Sequence, residues 1–162
     1  MSEDVDCLTQ LEDAVRAALE ANATLAKRVL GPEQFPVKAA HLPALAVDIG
    51  DESAPTYLGN EGGDRLIERT VQVDVLVILD AGIADFSRLA RALANQVRAI
   101  LSGPHVLGLP IDDFKLVGAK PQTFASEAGS QGGFHLAFVA TFITGEATPD
   151  RFEPLNDTSE LV

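Results

Sequence analysis

The chain has 162 residues, 12 Lys and Arg against 24 Asp and Glu, a formal charge of −12, one cysteine, no tryptophan and 46% hydrophobic residues. That size fits one domain with a real core. The acidic excess excludes non-specific binding to nucleic acid or anionic membrane, which needs surplus Lys and Arg, and Cys7 has no partner for a disulfide within the chain.

The charge is unevenly spread. Residues 1–13, 48–64 and 146–162 carry −5, −5 and −4, which leaves the rest of the chain at +2. The first residues, Met-Ser-Glu-Asp-Val-Asp, lack the basic start and apolar run of a secretory signal. No apolar run reaches the roughly 18 residues of a membrane span. A protein made and kept in a cytoplasm, without a membrane partner, is expected.

From Leu8, apolar residues recur at 8, 11, 15, 18 and 19, a helical spacing, with Asp4 or Asp6 available as cap. Thr24 offers a start for a short continuation through Val29, ended by Gly31-Pro32, and residues 33–41 read as a connection. Residues 42–50, LPALAVDIG, read as a strand with Leu45, Val47 and Ile49 on one face and Pro43 at its entry. A Gly-rich acidic stretch follows. Then residues 65–79 alternate over an unusual length, with Ile67, Val71, Val73, Val75, Val77 and Leu79 sharing a face. At about 3.3 Å per residue such a strand spans roughly 50 Å, against a usual 5 or 6 residues. Its half at 75–79, apolar on both faces, suits a covered central position. The half at 65–74 either projects as one arm of a long hairpin or belongs to a bulged or bent strand wrapping one compact sheet.

A second helix is expected after Asp85 as cap, with Phe86, Leu89, Leu93, Val97, Ile100 and Leu101 as its apolar stripe and Ser102-Gly103-Pro104 as its stop. Arg88, Arg91, Asn95 and Arg98 line its polar side at steps of three and four. Residues 111–117 read as a strand, 118–133 as a soft loop, and 134–144 as a closing strand with Phe134, Leu136, Phe138, Ala140 and Phe142 inward and His135 outward. The expected architecture is α+β, in the order α-β-β-α-β-β: a mostly antiparallel four-stranded sheet with two helices packed on it and a long projecting hairpin. Residues 1–145 form the single domain, and 146–162 an acidic tail without fixed structure of its own.

Catalytic signatures are missing from the sequence. It contains no GxSxG, GxxxxGK, GxGxxG after a strand, or HExxH. The run VDVLVILDAGIADF ends an apolar strand in Asp80, yet no second acid follows at two residues, and Asp85 at the helix start repels a phosphate. His41, His105 and His135 lack the paired spacing of a metal site. Asp51-Glu52 and Asp112-Asp113 lack the oxygen-rich loop of a Ca²⁺ site. Cys7 beside an acidic terminus is a poor nucleophile. No catalytic, cofactor or metal residue is assigned.

What remains is interaction chemistry. Arg88, Arg91 and Arg98 form a basic line on an acidic protein, and the segment with Asp48, Asp51, Glu52, Glu61 and Asp64 is its complement. Arg65 and Arg69 at the start of the long strand complete the candidate interface. If one molecule's acidic segment meets the next molecule's helix, the contact is head-to-tail and closes into a ring or grows as a filament. A merely solvated helix face is the alternative.

The N-terminal amphipathic helix, the LPALAV strand opening and the R-x-x-x-R-x-V-x-V-x-V strand from Arg65 to Val75 lead to FSRLARALANQVRAIL, SGPHVLGLPIDDFKLVG and a closing aromatic strand. Together these resemble the tail terminator proteins of long-tailed phages, the minor tail protein U-like or tail completion family, over about residues 8–145. The resemblance implies a structural protein rather than an enzyme. Such proteins form a hexameric ring that caps the head-proximal end of the tail tube, ends its polymerisation and offers the surface for head-tail joining. Implied partners are further copies of the chain, the major tail tube protein and the head-side connector or stopper, with DNA passing through the lumen unbound. The implied location is the virion tail, after assembly in the host cytoplasm, and similar proteins occur in siphophages, prophages and gene transfer agents. Two rival readings are a small Mg²⁺- or Ca²⁺-dependent enzyme built on Asp80 and neighbouring acids, and a monomeric module whose sheet captures a peptide.

Overall fold

In the computed structural model, which describes residues 5–24, 26–31, 37–59, 64–124 and 131–153, the first helix, α1, spans Cys7–Asn22. Asp6 starts it: one carboxylate oxygen accepts from the Leu8 and Thr9 amides and the other from the Thr9 hydroxyl at 2.6 Å. Cys7, Leu11, Val15 and Leu19, each four residues apart, are its buried stripe.

The expected helical continuation through Val29 is instead a short strand, β1 (Arg28–Leu30), running parallel to β2 (Ala44–Glu52). Val29, which is β-branched, and Leu30, which is apolar, fit a pleated surface, and β2 offers them a three-residue ladder. A two-residue strand, β3 (Thr56–Tyr57), pairs with β4 (Leu66–Asp80), and β4 lies between β2 and β6 (Gln131–Gly145). The edge strand β5 (Asp113–Phe124) completes the sheet, in the order β1-β2-β4-β6-β5 with β3 against β4. The class is α+β as expected. The sheet, however, is six-stranded and mixed rather than four-stranded and antiparallel.

The second helix, α2, spans Phe86–Ile100 and buries Ala90, Leu93, Ala94 and Val97. Asp85 stands at its N-cap in the left-handed region, φ 60°, and its side chain makes no capping bond. Both helices lie on one face of the sheet. Val71, Val73, Val75, Val77 and Leu79 of β4, with Leu136, Phe138, Ala140 and Phe142 of β6, point into that core. Phe114 of β5 stacks on Phe138 with ring centroids 5.1 Å apart.

Of the connection from β1 to β2, residues 37–42 lie on the opposite, outer face. There Val37 and Leu42 pack with Leu30, Ala44, Ala46 and Ile78, and Leu76 leans on them. This explains why residues 75–79 are apolar on both faces.

The long strand does not project. β4 is paired with β6 along its whole length, from Leu66 opposite Gly145 to Asp80 opposite Gln131. Its inward residues are buried from Arg69 to Leu79. The strand runs unbroken through the sheet, and its pairing with β2 shifts between Ile49 and Glu52. The segment 118–133, expected as a loop, is strand as far as Phe124 and again from Gln131; residues 125–130 lie outside the described set. The segment expected to be a loose tail from residue 146 is docked as far as Glu153. Its Glu146 and Glu153 amides donate to the Arg65 and Ile143 carbonyls, and Phe152 sits edge-on against Phe142. Residues 154–162 lie outside the described residues. Among the described residues no helix is long and apolar enough to cross a membrane.

Candidate functional site

Helical periodicity puts Arg88, Arg91, Asn95 and Arg98 on the exposed flank of α2. None of these arginines has an ion-pair partner among the described residues. Arg91, Asn95 and Arg98 rim a groove of about 210 Å³ that separates α2 from β5. Its far wall is Ala119 and its apolar floor is Phe134 and Leu136. The site is therefore a greasy slot between guanidinium groups, beside the edge strand β5.

That edge is blunted against strand addition. Pro121 removes a donor, Lys115 and Lys120 carry charge, and an irregularity between Leu116 and Gly118 leaves Val117 54% exposed. Such an edge disfavours extension of the ladder by another strand.

The acidic candidates divide. Asp48 and Asp51 are exposed on β2, beyond the stretch 44–46 that β1 covers, so they lie on the opposite edge of the sheet from the arginine flank. Glu52, Asp64, Arg65 and Arg69, by contrast, are engaged within the chain. The Arg69 guanidinium, on a residue only 8% exposed, meets Glu52 with two hydrogen bonds and donates to the Pro149 carbonyl at 2.7 Å and to Cys7 Sγ at 3.6 Å. The Glu52 hydrogen bond raises the Arg69 pKa against the opposing effect of burial. Arg65 pairs with Glu146 at 3.0 Å in the open, a contact that raises its pKa, and lies over the Tyr57 ring. Asp64 accepts from the Ala147 amide. Arg65, Arg69 and Asp64 thus contact Glu146, Pro149 and Ala147 of the C-terminal segment, and Glu52 holds Arg69 in place. Glu61 lies outside the described residues.

A pair that sequence reading missed sits on the outer face: His135 Nε2 lies 2.6 Å from Asp74 Oδ1, to which Gln72 also donates at 2.7 Å. The register brings them together, because Asp74 faces Ala137 and Leu76 faces His135. The outward position of His135 was legible from alternation; its partner was not, since it lies on another strand.

The Asp80 carboxylate accepts from the Gly82 amide at 2.9 Å and so shapes its own turn. Asp113 accepts from the Phe114 amide and has Lys115 at 3.8 Å. Among the described residues no group of three or more His, Cys, Asp or Glu side chains is arranged to hold a metal.

The fold defines the protein as an α+β domain with two helices on one face of a mixed sheet. The chain is similar to a solved structure described as the virion of a native gene transfer agent particle, with TM-score 0.46 and 19% identity, over 81% of this chain and 92% of that one. No protein-family profile and no curated protein matches it.

Proposed function

We propose that this protein is a structural virion assembly protein of the tail-terminator kind. Copies of the chain form a ring, hexameric by the sequence resemblance, on the head-proximal end of a tail tube; the ring ends polymerisation of the major tail tube protein and joins the head-side connector. The observation that carries this reading is the separation of opposite charges across the sheet. Arg88, Arg91 and Arg98 flank the β5 edge, whereas Asp48 and Asp51 stand on the β2 edge. Complementary patches on opposite edges suit a head-to-tail contact, which closes into a ring when the rotation per subunit permits. The blunted ladder at β5 favours closure through side chains over open-ended strand pairing.

The net charge of −12 fits the same role. Acidic groups around a lumen repel DNA in transit, so the conduit does not retain its cargo. Light scattering coupled to gel filtration, followed by negative-stain imaging of the protein alone and with tail tubes, tests the proposal. Rings, free or on tube ends, are the expected result. A protein that stays monomeric and leaves tube ends bare overturns it.

A further inference from the structure

We infer that the groove between α2 and β5 receives Tyr57 from a second copy of the chain. The inference rests on the ring reading above and names the side chain that anchors its subunit contact.

Exposure singles out Tyr57. Three large hydrophobic side chains stand in solvent among the described residues: Tyr57 at 56%, Val117 at 54% and Ile83 at 38%. Val117 belongs to β5 and Ile83 to the turn before α2, so Tyr57 alone of the three lies on the edge that carries Asp48 and Asp51. β3 continues along β4 the edge that β2 forms, because Glu52 faces Val71 and Tyr57 faces Ile67. Every residue from Asp51 to Tyr57 is exposed, which makes this edge a ridge.

The opposite edge is concave. The groove of about 210 Å³ has an apolar floor of Phe134 and Leu136 and a rim of Arg91, Asn95 and Arg98. A phenol ring suits both parts: its carbons cover the floor, and its hydroxyl meets the Asn95 amide, the partner that a buried tyrosine needs. Residues 104–112 lie on the helix-covered face at the start of β5, with Leu107 and Ile111 in the core. That leaves the side at Ala119 for an approaching edge.

Charge favours the chain itself as the occupant. Neither Asp48 and Asp51 nor Arg88, Arg91 and Arg98 have an ion-pair partner among the described residues. The spacing agrees. Asp51 lies about five strand residues from Tyr57, roughly 16 Å, and Arg88 lies ten helical residues from Arg98, about 15 Å. With the ridge aligned along the helix and Tyr57 at the Arg98 end, Asp51 falls beside Arg88, where carboxylate and guanidinium form charge-assisted hydrogen bonds.

The anchor is also held ready. The Arg65 guanidinium lies 4.6 Å from the Tyr57 ring centroid and pairs with Glu146 at 3.0 Å. A ring already ordered loses less freedom on docking. Glu146 balances the Arg65 charge, which would otherwise oppose Arg91 and Arg98.

The test uses full-length chain with Tyr57 replaced by p-azidophenylalanine, irradiated alone and with tail tubes, and cross-linked peptides are read by mass spectrometry. The expected product joins two copies, from position 57 to residues 94–98 or to Ala119. In parallel, Tyr57→Ala should raise the concentration needed for assembly by about 30-fold or more, the weakening typical of a lost aromatic anchor, at an unchanged thermal midpoint. Tyr57→Phe, which keeps the ring, should stay within a few-fold of the parent. Cross-links confined to another surface or to the tube protein overturn the inference, as does assembly of Tyr57→Ala at the parent's concentration; rings seen by imaging in those cases leave the ring reading standing. A chain that stays monomeric and leaves tube ends bare removes both.

Discussion

Arg69 and Glu52 form a two-pronged ion pair on the helix-covered face of the sheet, Nε to Oε2 at 2.8 Å and Nη2 to Oε1 at 2.7 Å. The guanidinium also holds the Pro149 carbonyl and lies over the Phe142 ring, so one side chain ties β2, β4, β6 and the C-terminal segment together. Replacement by methionine, Arg69→Met, keeps the apolar stem but removes every one of those donors. We expect a loss of about 2–3 kcal/mol in urea unfolding, the range for hydrogen bonds to a charged group and the partners they leave behind. The Cys7 amide, bonded to the Asp150 carbonyl at 2.8 Å, should exchange faster in the variant. Arg65→Ala, at the exposed pair with Glu146, should leave the unfolding midpoint unchanged.

The Cys7 thiol is the next consequence of the same cluster. Burial pushes its pKa up, and the attraction of Arg69 only partly opposes that. A buried acid with a raised pKa favours its neutral form, so its contribution to stability is full below the ordinary thiol pKa and fades as pH rises through the folded value. Thiol-exchange reagents at pH 8 should therefore react at a rate set by opening of the fold, far below that of a free cysteine, and faster in Arg69→Met. Reaction of the native protein at the free-thiol rate would show that the cluster does not seal the sulfur.

Much of this fold follows from periodicity, and the exceptions have identifiable causes. α1, α2, β4 and β6 are long enough for a repeat to declare itself. β1 and β3, at three and two residues, are too short for that and form because a neighbouring strand offers a ladder. The sequence pattern of β5 stops at Val117 because Gly118, Lys120 and Pro121 look like a loop, yet an edge strand tolerates all three. Arg69 carries a signal of its own in the sequence. It falls in the odd-numbered apolar row of β4, between Ile67 and Val71, where a cation must find a buried partner. The α2 arginine line was legible because helical steps are local. The engagement of Arg65 with Glu146, 81 positions away, was not.

Gly133 gives a sharp steric test. A Cβ at this position would run into the Val77 carbonyl of the adjacent strand, at a φ of 157°. Gly133→Ala must push β6 from β4 in the middle of the sheet. The expected cost is about 3 kcal/mol, at the upper end for overpacking, with a matching fall in thermal midpoint. Gly118→Ala, with nothing within 4 Å of the added carbon, serves as the neutral control.

The cap of α1 predicts a pH dependence. Hydrogen bonds from Thr9, its side chain first, lower the Asp6 pKa below the ordinary 3.8, and the small burial opposes them. A depressed carboxylate pKa contributes stability that is present above the unfolded value and lost as pH falls through the folded one. Asp6→Ala should cost about 1 kcal/mol at neutral pH, the usual worth of an N-cap. The gap between variant and parent should close below the ordinary carboxylate pKa, as followed by urea unfolding across the acid range.

Charge exchange across the sheet separates a subunit contact from a merely solvated helix face. Reversal of one patch, Arg88→Glu, Arg91→Glu and Arg98→Glu together, places like charge opposite Asp48 and Asp51 of a neighbour, and like-charge juxtaposition costs several kcal/mol at an interface. Reversal of the other patch, Asp48→Lys with Asp51→Lys, does the same from the opposite side. Each reversed chain alone should therefore stay small in light scattering. When both reversals are carried by one chain, the contact is restored with its signs exchanged, and rings should return. A solvated face predicts no change in any of the three. Screening gives a further handle, because rings held by these patches should weaken between low and high salt as the Debye length falls from roughly 30 Å at 0.01 M to 3 Å at 1 M. Unchanged assembly in both reversed chains would remove these residues from the interface.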